Sequence, residues 1–182
     1  VFKNYMINKI IRSDDNVRLK IGNEYLDYDH VILSSHADQS LKMIENPTEQ
    51  ENKILSKFQY ISNIAILHTN EKLMPKKKIA WSSWNSISNE KQTCVTYWLN
   101  KLQNLKSNTN YFLTLNPIYE LKESEIIKKV EFTHPYFNSE TLKYQKELNL
   151  LQGKKRTWFS GAYFGYGFHE DGIKSAINLM KN

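Results

Sequence analysis

Residues 160–176, SGAYFGYGFHEDGIKSA, hold Gly161, Gly165, Gly167 and Gly172, four of the six glycines in this 182-residue sequence. They alternate with Tyr163, Phe164, Tyr166 and Phe168 and run into His169-Glu170-Asp171, where a helix is expected to begin. Glycine allows close approach of backbone to a phosphate or a ring. The unpaired N–H groups of a helix's first turn carry roughly half a positive charge and can hold an anionic ligand atom. The segment just before, RTWFSGA (156–162), reads as a strand ending in small residues, and α/β folds bind ligands at the carboxyl ends of strands. A plainer reading uses the same letters. In it the glycines permit turns, the aromatics pack, and Glu170 and Asp171 favour the helix start.

Other chemistries find less support. His30, His36, His68, His134 and His169 show no H-x-H or H-x-x-x-H spacing, so no metal site is expected. His36 follows a strand end and could serve a local hydrogen bond or catalysis. Ser34, Ser35 and Ser160 lack a G-x-S-x-G elbow, which argues against a hydrolase. Cys94 is the single cysteine, which excludes an internal disulfide and a cysteine zinc site and suits packing in a strand. No catalytic base is assigned.

The elements that must position these residues follow from pattern. Residues 4–12 and 17–21 read as a hairpin around Ser13-Asp14-Asp15-Asn16, and HVILSS (30–35) as a buried strand. Asp38 is expected to cap a helix through Leu41 and Ile44, and Thr48 with Glu51 has capping-box spacing for a second. NIAILHT (63–69), IAWSSWNSI (79–87), TCVTYWL (93–99) and YFLTLNP (111–117) read as an antiparallel block in which Trp81 and Trp84 face opposite sides. A short helix at 123–128, a strand at 130–135, and a helix from Ser139 to about Leu151 stopped by Gly153 follow. The last helix spans about 169–180. This order suits one nucleotide-type domain interrupted by an insertion.

Composition limits the remaining classes. A hydrophobic share of 40%, with 13% aromatic, indicates a folded globular chain. The net charge of +6 comes from scattered lysines, with Arg12, Arg18 and Arg156 the only arginines, so no nucleic-acid partner is expected. The run Lys76-Lys77-Lys78 reads as a solvated loop. No apolar run approaches a membrane span, and the opening VFKNYMINK lacks a leader's apolar core, so a cytoplasmic location is expected. A chain that opens on Val inside a strand pattern reads as part of a larger protein.

The sequence also resembles bacterial FAD-dependent oxidoreductases of the flavin-containing amine oxidase superfamily, in particular the predicted NAD/FAD-binding proteins. The likeness runs in order through YDHVILSSHADQSLKMI, ILHTNEKLMP, AWSSWN, TYWLNKLQ, YFLTLNP, FTHPYF and LQGKKRTWFSGAYFGYGFHEDGIKSA. It implies an α/β plus α+β fold, the C-terminal part of a Rossmann-like FAD domain interrupted by a substrate domain on an antiparallel sheet. The implied divisions are 1–37 for the FAD domain's hairpin and buried strand, 38–153 for the substrate domain, and 154–182 for the return. The resemblance implies that Gly161 and Ala162 lie beside the ribityl-pyrophosphate arm of FAD. It sets Gly167, Phe168, His169 and Glu170 at the pyrimidine edge of the flavin, with the His169 N–H donating to O2. Ile7 corresponds to the apolar contact to adenine.

One departure matters. The G-x-G-x-x-G pyrophosphate fingerprint is absent, so the chain is expected to be a C-terminal fragment that does not hold FAD stably or act by itself. The implied parent is an enzyme that passes a hydride from a small organic substrate, an amine or an apolar lipid-like molecule, to FAD. The alternative is a binding or structural module that keeps the fold without redox activity.

Overall fold

The computed structural model describes residues 2–181. In chain order it begins with β1 (Ile7–Arg12), β2 (Val17–Ile21), β3 (Glu24–Tyr28) and β4 (Val31–Leu33), then α1 (Ala37–Met43) and α2 (Glu49–Leu55). Next come β5 (Gln59–His68), β6 (Trp84–Ser88), β7 (Thr93–Trp98), α3 (Leu99–Leu102), β8 (Phe112–Leu115) and β9 (Ile126–Tyr136). The chain closes with α4 (Ser139–Gln145), β10 (Thr157–Phe159) and α5 (His169–Leu179).

Two compact units result, Val1–Tyr60 with Pro135–Asn182, and Ile61–His134. These divisions differ from those at 37/38 and 153/154 implied by the family resemblance. The physical reason is the core of the first unit: Val31, Leu33 and Phe159 share it with Ala37, Ile44, Ile54, Leu55, Leu148 and Leu151. The helices at 37–55 and the segment 139–151 therefore pack with β4 and β10.

In the first unit β1, β2 and β3 form an antiparallel sheet, with the chain returning at Gly22 in the left-handed region (φ +59°). β3 is obscure in the sequence because Glu24-Tyr25-Leu26-Asp27-Tyr28 lacks strict alternation of apolar and polar residues. β4 and β10, 126 residues apart at their paired ends, form a two-stranded parallel sheet, Thr157 opposite Val31 and Phe159 opposite Leu33. Arg12 ties the two sheets and α2 together. Its guanidinium donates to Glu51 Oε2 at 2.8 Å, to Asn46 O at 3.0 Å and to Thr157 Oγ1 at 3.2 Å. Glu51 also closes the expected capping box, accepting from the Thr48 N–H at 2.7 Å while Thr48 Oγ1 accepts from the Glu51 N–H. The other expected cap is corrected: His36 precedes α1, and Asp38 is its second residue.

The second unit is built on a five-stranded sheet in the order β6-β7-β8-β5-β9. Residues 79–83 are not strand as expected. A 3-10 turn at Lys78–Ala80 carries Trp81 into a core with Met74 and Phe112, where its ring stands edge-on to Trp98 and Phe112. Trp81 is 8% exposed and Trp84 62%, so the two do face apart, through the turn rather than through the pleat. A strand begins at Ile126 where a helix to 128 was expected. In the first unit the helix from Ser139 ends at Gln145, and a 3-10 turn covers Leu148–Leu151.

Candidate functional site

β10 and β4 end side by side in hydroxyls, Ser34 Oγ lying 2.8 Å from Ser160 Oγ. Past them Gly161 (φ +152°) starts a 3-10 turn over Ala162–Phe164, and a Cβ on Gly161 would come within 2.9 Å of the Tyr163 ring. Tyr163 is buried against Phe58 and Phe164, and its hydroxyl has no partner among the described residues, so burial raises its pKa. The aromatics that the sequence sets between the glycines thus divide. Tyr163 goes inward, and Tyr166 and Phe168 are exposed.

The loop that follows is held from three sides. Ala162 O accepts from the Gly165 and Gly167 N–H groups, each at 3.1 Å. The Gln145 amide donates to Tyr163 O and Gly165 O. Asp171 Oδ2 accepts from the N–H groups of Tyr166 and Phe168 at 3.0 Å, and a Cβ on Gly165 would meet that carboxyl group at 2.4 Å. Asp171 therefore caps α5 from inside, and Gly165 is the residue that leaves it room.

The sequence-derived residues fall into two groups. Gly161, Ala162, Gly167, Phe168, His169 and Glu170 form one continuous rim from the carboxyl end of β10 to the first turn of α5. The N–H groups of His169 and Glu170 are the first two of the helix, have no intrahelical acceptor, and belong to exposed residues. Both main-chain groups of Gly161 are engaged: its N–H donates to Ser175 Oγ at 2.9 Å and its C=O accepts from Phe164 at 3.1 Å. Ile7 stands outside this rim, at the start of β1, partly buried against the core of the first unit.

The parallel pair has unequal edges. Leu33 O accepts from the Ser160 N–H at 3.0 Å, so Leu33 faces β10 and the peptide groups of Ile32 point the other way. On the far side of β10, the Gln152 amide donates to Phe159 O at 2.8 Å and accepts from the Phe159 N–H at 2.9 Å. One edge is closed by a side chain that imitates a strand. The other is open at Ile32, whose side chain is 56% exposed. Neither Gln145 nor Gln152 was legible as a site residue, because each acts on backbone beyond its own element, a contact that spacing does not encode.

A second cluster surrounds the exit of β4. The His36 ring stacks on Tyr60 at 4.2 Å, and Tyr60 Oη accepts from the Ala37 N–H at 2.9 Å. Burial, with Asp38 nearby, pushes the Tyr60 phenol up to about 12.

The mixed α/β architecture shares its fold with about half of several solved enzymes, oxidases among them. Similar solved structures include a CLA-producing fatty acid isomerase from P. acnes, 14% identical, with TM-score 0.67, over 98% of this chain and 47% of that one. Putrescine oxidase, wild type bound to putrescine, is 9% identical with TM-score 0.65, over 100% of this chain and 49% of its own. Cyclohexylamine oxidase from Brevibacterium oxydans is 10% identical with TM-score 0.59, over 97% and 48%. The chain spans about half the length of each of these structures. No protein-family profile and no curated protein matches the sequence.

For a flavin, the rim offers open backbone donors at a helix start, glycine at the close approach of Gly167 (φ +90°), and exposed aromatic faces. That suits the ring end of such a group. Among the described residues no paired glycines form a cradle for its phosphates.

Proposed function

We propose that this chain is the flavin-ring-facing half of an FAD-dependent oxidoreductase of the amine oxidase type. Its parent transfers a hydride from a small organic substrate, an amine or an apolar molecule, to FAD. What carries the reading is the pair of open N–H groups at the start of α5, which the chain reaches by a glycine-rich turn past the carboxyl end of a parallel strand, in a chain that shares its fold over its whole length with part of putrescine oxidase.

FAD supplies the hydride acceptor. This chain's residues do the positioning. The His169 and Glu170 N–H groups, backed by the α5 dipole, would hold an anionic edge of the flavin. Gly167 and Phe168 would wall the ring, Gly161 and Ala162 would hold the ribityl-pyrophosphate arm, and Ile7 would take the adenine side. In this assignment the first unit carries the residues that would meet the cofactor. The open edge at Ile32 supports a further parallel strand from the polypeptide that brings the G-x-G-x-x-G turn.

Titration of FAD into the chain, followed by flavin absorbance and fluorescence, tests the half-site reading. Weak binding without a stable holoprotein is expected. Submicromolar binding with a flavin spectral shift would overturn it.

A further inference from the structure

Four rows of the second unit's sheet end together. His68 pairs with Phe112, Phe112 with Trp98, and Tyr97 with Trp84, so residues 69–83 and 99–111 emerge from the same end. The two segments are tied: Asn110 Nδ2 donates to Glu71 Oε1 at 3.0 Å while Asn110 Oδ1 accepts from the Trp98 indole at 3.0 Å. Under them lie Trp81, Met74 and Phe112. The Trp81 indole donates to Pro75 O at 2.8 Å, and Ala80 N donates to Lys77 O at 2.9 Å, which pins the tip of the first segment.

This firm platform presents an unusual surface. Ile79 is 95% exposed, and Trp84, Leu102 and Leu105 stand out of the same end. Lys72, Lys76, Lys77 and Lys78 come from the first segment and Lys101 and Lys106 from the second. Glu71 is the one acidic residue in both, and Lys78 already neutralises it at 2.9 Å. Glu125 adds a second carboxylate at this end, accepting from Asn70 Nδ2 at 2.7 Å, while Lys72, Lys76, Lys77, Lys101 and Lys106 have no carboxylate partner among the described residues. Apolar tips flanked by these lysines match an interface of anionic headgroups above acyl chains. They match a polyanion such as RNA less well, because arginine is absent from both segments and Ile79 would gain nothing there.

We propose that this end of the second unit seats on an anionic lipid surface, with Ile79 inserted and the lysines at the headgroups. The proposal is independent of the redox reading. Among the described residues no helix is long and apolar enough to cross a membrane, so the contact is peripheral.

Sedimentation of the full 182-residue chain tests it, with vesicles of phosphatidylcholine alone and of phosphatidylcholine and phosphatidylglycerol in equal parts. The chain is expected to pellet with the mixed vesicles only and to be released by salt. Lys76→Glu and Lys77→Glu should each weaken binding at least about fivefold, and Ile79→Glu at least about tenfold. Ile177→Glu, on the exposed side of α5, is expected to leave binding unchanged, and all four variants should melt like the parent. Equal binding to neutral vesicles, no binding to either, loss through Ile177→Glu but not Ile79→Glu, or retention by RNA without retention by vesicles would each overturn the proposal.

Discussion

At the residue scale, the proposed site uses the peptide of His169 rather than its imidazole. As the first residue of α5 it offers an N–H that the helix cannot use, and Phe168 before it has φ −88° and ψ 159°. That extended conformation is the one proline imposes on its predecessor, and the first helical position tolerates proline. His169→Pro should therefore leave the melting temperature close to the parent's while removing one flavin donor. Riboflavin affinity is expected to fall roughly fivefold, the equivalent of about 1 kcal/mol for one hydrogen bond. Loss of helix content instead would show that the imidazole holds the loop. The glycines were readable as a close-approach segment, but their division of labour was not. Gly165 makes room for Asp171, a contact set by loop geometry that spacing does not encode.

At the scale of elements, Gln152 deserves comparison with a strand. It supplies both a donor and an acceptor to Phe159 and so ends the parallel pair on that side. Gln152→Ala leaves those two buried peptide groups unpaired, at a cost of about 1–3 kcal/mol in each case before relaxation. Denaturant unfolding should register the loss, and exchange of the Phe159 amide should accelerate more than that of the Leu33 amide, which still faces β10. Local signals did reveal many elements. Thr48 and Glu51 announced α2, and the apolar run at 30–35 announced β4. The signals failed where tertiary packing overrode them. Ile79-Ala80-Trp81 has strand composition, yet the burial of Trp81 bends it into a turn. Residues 139–151 have helix composition, yet the chain leaves the helix at Gln145, whose amide reaches the Tyr163 and Gly165 carbonyls.

At the scale of the whole molecule, the two units respond to acid through different groups. His68 is buried in the second unit. Its Nδ1 accepts from the Asn70 N–H at 3.2 Å, and its Nε2 lies 2.8 Å from Thr114 Oγ1, which is 2.7 Å from Thr96 Oγ1. Burial holds the pKa of His68 below the ordinary 6.5. The folded form therefore resists a proton that the unfolded chain accepts. Stability from this residue is full above that pH and declines as pH falls below it.

In the first unit Glu51 faces Arg12 with both side chains almost fully buried, at 2% and 4% exposure. Burial alone would raise its pKa, but Arg12 and the Thr48 N–H together hold it below the ordinary 4.5. Its contribution is present above that value and is lost only as pH falls through the lower folded pKa. Acid titration should loosen the second unit first. Three of the four tryptophans, Trp81, Trp84 and Trp98, lie in that unit and Trp158 in the first, so in a Trp158→Phe background fluorescence is expected to change before amide exchange accelerates around Ile10 and Ile54. His68→Gln should shift the fluorescence change to lower pH.

The central claim is that the rim from Gly161 to Glu170 meets a flavin ring. Amide chemical shifts of the isotope-labelled chain during titration with riboflavin, which lacks the phosphates, test it most directly. The account predicts weak, saturable shifts concentrated at Gly161–Glu170 and largest at His169 and Glu170. Saturable shifts elsewhere with that segment unmoved, or no shifts up to the solubility of riboflavin, would contradict it.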